Sequence, residues 1–90
     1  PVTVFIRIKL ERHGDEAVQA FERAIMNMPK VMNCWLMTGR SDYLLRVIAA
    51  DLDDYEQFVR RELQRVPGIA SIDTSFAYGS VKHAQVLPEV

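Results

Sequence analysis

Val31-Met32-Asn33-Cys34-Trp35-Leu36-Met37-Thr38-Gly39-Arg40-Ser41-Asp42-Tyr43-Leu44-Leu45-Arg46-Val47-Ile48-Ala49-Ala50 is the stretch that decides the fold. Two largely apolar runs flank Gly39-Arg40-Ser41-Asp42, a cluster of turn-forming residue types. So tight a connection joins antiparallel neighbours, so 31–38 and 43–50 read as the strands of a hairpin. Alternation places Val31, Trp35 and Met37 on one face of the first strand, with Met32, Cys34 and Leu36 on the other. The second strand is apolar almost throughout, with Leu44 and Ile48 opposing Leu45 and Val47.

Upstream, residues 2–10 alternate without a break. Val2, Val4, Ile6, Ile8 and Leu10 share one face, and Thr3, Phe5, Arg7 and Lys9 the other. Arg12-His13-Gly14-Asp15 ends that strand, and Asp15 is expected to cap a helix whose inner face carries Val18, Phe21, Ile25 and Met28, stopped by Pro29. Downstream of the hairpin, Asp51 is expected to cap a second helix with Leu52, Tyr55, Val59, Leu63 and Val66 inward. Acids lead this helix and Arg60, Arg61 and Arg65 close it, as the helix dipole favours. Pro67-Gly68 precedes a fourth strand, about 69–78, and a semi-apolar tail over 81–90. The order β-α-β-β-α-β over a single domain, residues 1–90, predicts an α+β ferredoxin-like sandwich. Its four-stranded antiparallel sheet has two helices on one face.

Helices on one face leave the other bare, yet Leu44, Ile48 and their neighbours are large and apolar. Such a patch exceeds what a monomer usually exposes. The expectation is a homodimer joined through the uncovered face, resembling a dimeric α/β barrel, with further assembly of dimers.

Ninety residues allow one modest core, for which 49% hydrophobic residues suffice. Eleven Lys+Arg against twelve Asp+Glu build no field that would draw in a phosphate backbone, so these residues are not expected to bind nucleic acid. The single cysteine, Cys34, excludes an internal disulfide and points to a reducing, cytoplasmic compartment; its apolar surroundings predict buried packing. No run approaches the roughly 20 apolar residues of a membrane span. The sequence starts at Pro1, as a trimmed chain or one part of a longer protein would.

The inventory for catalysis is thin. His13 and His83 have no acid or thiol at a dyad or ligand spacing and read as surface imidazoles. Asp51, Asp53 and Asp54 open a helix, where capping explains them without a metal. The glycines fall singly at turns, so there is no phosphate-cradling loop. Met26, Met28, Met32 and Met37 read as core and interface filler. No metal or cofactor is expected, and no enzymatic activity. There remains the turn Thr38–Tyr43. It is either a plain hairpin loop, or a site where glycine leaves amides open to a carboxylate and Asp42 offers a negative group to an ammonium. An amino acid presents that pair of charges.

Read together, residues 31–47 resemble the hairpin of the Lrp/AsnC regulators, V-x-x-C/A-x-x-x-(T)-G-x-x-D-Y/F-L-L-x-V. The later set is similar to the rest of that family's effector (RAM) domain: 54–58, Leu63, Val66-Pro67-Gly68-Ile69, Thr74, Val81-Lys82 and Leu87-Pro88. The resemblance spans essentially the whole chain. It implies a module of a transcription regulator that senses an amino acid or related small metabolite. It implies dimers formed through the sheets, often assembled into octamers, with ligand held between dimers. Carried over by position, it implicates Gly39, Arg40, Ser41, Asp42 and Tyr43 in the loop, and Thr74 and Ile72 on the fourth strand. Some relatives have threonine where this chain has Ile72, which changes the polar contacts offered to a ligand. The family's regulators also carry an N-terminal helix-turn-helix that is absent from these residues. DNA would be reached only through such a part, removed or separately associated, or else the chain is a stand-alone sensor. Two alternatives share this layout. A small dimeric α/β-barrel monooxygenase would need a histidine or polar pair between helices and sheet, where Val18, Phe21, Ile25, Tyr55 and Leu63 stand instead. An ACT-type regulatory domain would join its sheets edge to edge.

Overall fold

In the computed structural model, which describes residues 1–82, the alternating run at the start of the chain forms β1 (Val2–Leu10). There follow α1 (Asp15–Met26), β2 (Val31–Leu36), β3 (Tyr43–Ala49), α2 (Leu52–Arg61), a 3-10 turn (Leu63–Arg65) and β4 (Ile69–Phe76). The tail expected over 81–90, with His83, lies from residue 83 onward outside the described residues.

The strands form one antiparallel sheet in the order β2-β3-β1-β4, as the ferredoxin-like reading requires. Val4, Ile6, Ile8 and Leu10 of β1 and Tyr43, Leu45, Val47 and Ala49 of β3 are buried on one face. They pack beneath Phe21 and Ile25 of α1 and Tyr55 and Phe58 of α2, with Met28, Leu63 and Val66 completing the core. Removing a large apolar side chain from water contributes about 1.5–3 kcal/mol, which makes this one-sided layer the main source of stability. No buried polar or charged residue is found among the described residues. No described helix is long and apolar enough to cross a membrane.

Several local expectations are corrected. Asp15 does not cap α1: Gly14 occupies the cap with extended backbone and no side-chain bond, and Asp15 sits in the first turn beside the positive end of the dipole. Asp51 does cap α2, its carboxylate accepting the Asp54 amide at 2.8 Å. The inward stripe of α2 differs from the one read off the sequence. Leu52 is 56% exposed and Phe58 is buried in its place. The helix ends at Arg61, and Glu62 at φ −120° resets the phase, so Leu63 and Val66 turn inward after the break.

β2 carries the largest correction. A bulge at Met32 lets Val31 pair with Val47 but Asn33 with Arg46. Val31 therefore shares the helix-covered face with Cys34 and Leu36, and not with Trp35, because one extra residue inverts the alternation beyond it. The strand also stops at Leu36, two residues early. Cys34 is exposed, contrary to the buried packing expected. It faces the helix side, but β2 is an edge strand whose rim α1 does not close, and Leu36 is 76% exposed beside it. Of the methionines, Met28 is core, whereas Met26 and Met32 are exposed.

Among the described residues nothing covers the opposite face, which is mixed in character. One row across it reads Trp35, Leu44, Arg7, Asp73, and the next Asn33, Arg46, Phe5, Ser75. Leu44, Phe5 and Ile48 are only half-buried and Trp35 is 42% exposed. The apolar patch is present, and Arg7 and Arg46 interrupt it.

Candidate functional site

The β2–β3 loop, residues 37–42, is anchored at both ends. The Met37 amide donates to the Asp42 carbonyl at 2.9 Å, and the Asp42 amide donates to the Ile8 carbonyl at 2.8 Å, seating the loop against the end of β1. Gly39 turns the chain at φ +97°, a conformation that side-chain-bearing residues rarely adopt. Thr38, Gly39 and Arg40 are exposed. Among the described residues, no main-chain carbonyl takes up the amides of 38–41. Open amides on a positive-φ turn are the chemistry that holds a carboxylate.

Asp42 is more committed than its sequence position suggested. Its Oδ2 accepts the Leu10 amide at 2.7 Å and lies 2.9 Å from His13 Nε2. An ionised carboxylate has no proton to give, so the imidazole donates. The Leu10 amide, foremost, and then His13 and Lys9 hold the Asp42 carboxyl below its ordinary value, against the opposing effect of desolvation. His13, expected to be an unpaired surface imidazole, is 58% exposed and paired to a residue 29 positions away. Nothing local in the sequence marks that partnership.

Tyr43 does not belong to the loop surface. Its ring is buried, 4.6 Å from the Phe21 ring, and its Oη donates to Glu22 Oε2 at 2.6 Å. Burial first, then the Glu22 carboxylate, raises the phenol far above its ordinary value. Beside it lies a groove of about 350 Å³ lined by Glu22, Ile25, Met26, Cys34, Trp35 and Leu36. Although Cys34 is exposed as a residue, its thiol is partly covered there. Desolvation, followed by Glu22, pushes it up to about 11, so it is a poor nucleophile at neutral pH. Glu22 was not among the residues singled out from the sequence; its place on the outer face of a helix gave no signal.

Thr74 and Ile72 lie on β4, at the far edge of the sheet. Thr74 Oγ1 is 3.1 Å from Tyr55 Oη, and Ile72 lines a shallow cavity of about 260 Å³ with Leu63, Val66 and Ile69. Ile72 pairs with Ile8, which pairs with Tyr43. Two inter-strand spacings, roughly 10 Å, therefore separate the residues of β4 from their counterparts on β3. Within one chain, the loop and the β4 residues are not brought together. The single chain offers a loop with open amides and a tethered carboxylate, and among the described residues no cluster of three potential metal ligands.

Over 87 residues the chain is 37% identical to the DNA-binding transcriptional activator DecR of Escherichia coli, covering 97% of this chain and 57% of that protein. It is 40% identical over 80 residues to the Bkd operon transcriptional regulator of Pseudomonas aeruginosa, covering 89% and 52%. The chain thus spans a little over half the length of these relatives. A transcriptional regulator from Neisseria meningitidis, solved as a complex with L-Met, superposes with a TM-score of 0.86 at 30% identity, covering 97% of this chain and 56% of that one. The family profile described as the Lrp/AsnC ligand binding domain matches residues 3–87, and the chain belongs to that family.

Proposed function

We propose that residues 1–90 form one amino-acid-sensing and self-assembly module of an Lrp/AsnC-type transcription regulator. The reading places it in the cytoplasm and assigns it no catalytic activity. The observation that carries it is the division of the site. Gly39, Arg40, Ser41 and Asp42 stand at one end of the sheet, and Ile72 and Thr74 lie two strands away. Buried Ile6 and Ile8 fill the covered face between them. A small zwitterion touching both sets needs a second copy of the chain to bring them together. The uncovered face with Trp35, Leu44, Phe5 and Ile48 supplies a reason for copies to associate, because its burial favours association at about 25 cal/mol per Å². Homodimers, and assemblies of dimers with ligand between them, follow.

The L-Met complex of the Neisseria relative supports an amino acid as the ligand class. The phenol oxygens of buried Tyr43 and Tyr55 are each engaged, by Glu22 Oε2 and by Thr74 Oγ1, which supports a structural use of these groups over a catalytic one. DNA is contacted through a helix-turn-helix outside these residues, in keeping with the DNA-binding activity in the name of the Escherichia coli relative. Thermal unfolding against the twenty amino acids and several keto acids, with light scattering on the same samples, tests the reading. At least one amino acid should raise the transition and shift the particle mass. If none does either, the sensing role is refuted.

A further inference from the structure

We infer that His13 is a positioning residue of the ligand loop. By holding Asp42 Oδ2 jointly with the Leu10 amide, it clamps the β2–β3 loop to the end of β1 and sets how the amides of Thr38–Ser41 face an anion. The inference rests on the sensing role proposed above and goes beyond it, because His13 lies in the β1–α1 connection, outside the loop and β4 residues assigned to the site.

Three ties converge on one residue. The Asp42 amide reaches the Ile8 carbonyl at 2.8 Å, its carboxylate takes the Leu10 amide at 2.7 Å, and His13 Nε2 closes on the same oxygen at 2.9 Å. The first two come from β1 and register the loop on the strand. The third comes from the segment after β1 and is the only one of the three that a side-chain substitution outside the loop can remove. Beyond the Met37 amide–Asp42 carbonyl bond that closes it, the loop has little else to hold it. Gly39 is at positive φ with open space around it, and the amides of 38–41 find no carbonyl among the described residues. A loop with so few internal bonds presents its donors in a fixed direction only if its root is fixed, and fixing them in advance strengthens binding by lowering the ordering cost. The clasp also apportions the carboxylate. Oδ2 is taken by the chain's own donors, which leaves Oδ1 for an incoming ammonium. Because the pair is exposed, it adds little to overall stability, so its removal acts on the loop and spares the core.

The test compares the 90-residue chain with its His13→Ala and His13→Gln variants. Backbone amide exchange is followed at the hydrogen-bonded amides of Leu10, Met37 and Asp42, and L-Met and the other amino acids are titrated by calorimetry. His13→Ala should speed exchange at those amides while the core strands keep their protection. It should weaken binding of whichever amino acid the wild type takes by roughly three- to tenfold, the span of one lost exposed hydrogen bond. Gln, whose side-chain amide can donate to Asp42, should restore most of both. Unchanged loop exchange in His13→Ala overturns the inference, as does faster exchange with no change in affinity. A wild-type chain that binds no amino acid refutes the sensing role. The exchange data then still decide whether His13 holds the loop.

Discussion

Tyr43 Oη donates to Glu22 Oε2 at 2.6 Å, joining β3 to α1 while the Tyr43 ring packs at a tilt of 35° against Phe21. Tyr43→Phe should destabilise the fold by about 0.5–1.5 kcal/mol, read as a lower urea midpoint at unchanged m-value. Glu22→Gln combined with Tyr43→Phe should cost less than the two single changes summed, because they share one bond. The phenol is raised in the folded state. Its contribution is therefore complete below the ordinary tyrosine range near 10 and is lost as pH climbs beyond it. Phenolate absorption from Tyr43 should emerge only together with alkaline unfolding.

The phase of α2 can be checked by a pair of substitutions. Phe58 is 2% exposed and Leu52 is 56% exposed. Phe58→Ala should destabilise by about 3–5 kcal/mol, a large share of the stability of a small domain. Leu52→Ala should stay within about 0.5 kcal/mol. Equal effects in chemical denaturation would restore the stripe inferred from sequence.

Asp54 accepts from Lys30 Nζ and from the Ala50 amide, both at 2.8 Å. Lys30 first, then that amide, holds its carboxyl below the ordinary value, and Asp42 is lowered as well. Groups lowered by folding stabilise above the unfolded carboxylate value near 3.9. They lose that contribution as pH falls through their lowered values. Stability should therefore decline below about pH 4, and Asp54→Asn or Asp42→Asn should each flatten part of that decline. Denaturant midpoints between neutral pH and about pH 2 measure it.

Gly39 adopts φ +97° with no atom within 4 Å of where a Cβ would stand. A cost for Gly39→Ala is therefore one of backbone strain, with no clash to relieve. The melting transition should fall by the equivalent of about 1–2 kcal/mol, and amino-acid binding should weaken with it if the loop amides hold the carboxylate.

Association through the bare sheet face predicts a concentration-dependent environment for Trp35, which is 42% exposed in the single chain. Its fluorescence should shift to the blue as concentration rises through the micromolar range. Leu44→Lys, which puts a charge beside Trp35 on that face, should abolish the shift and give a folded monomer by light scattering. A dimer that survives Leu44→Lys would place the contact elsewhere.

What the amino-acid order determined by itself was the set of elements. The alternation of Val2–Leu10, the turn residues at 39–42 and at Pro67-Gly68, and Asp51 before an amphipathic run are signals between near neighbours, and near neighbours decide local backbone geometry. Which side of β3 is buried did not follow, since Leu44 and Ile48 make its other face apolar too; pairing with β1 beneath the helices put Tyr43, Leu45, Val47 and Ala49 inside. Folding alone decided the bulge at Met32, the exposure of Cys34 on an edge strand, the inward turn of Phe58, and the burial of Tyr43 against Phe21. The same holds for the site. Asp42 was legible as a charged loop residue, but its bonds to Leu10 and His13 join positions 32 and 29 residues apart. Such partners meet only once β3 has paired with β1, and no periodicity in the chain encodes which strands lie side by side.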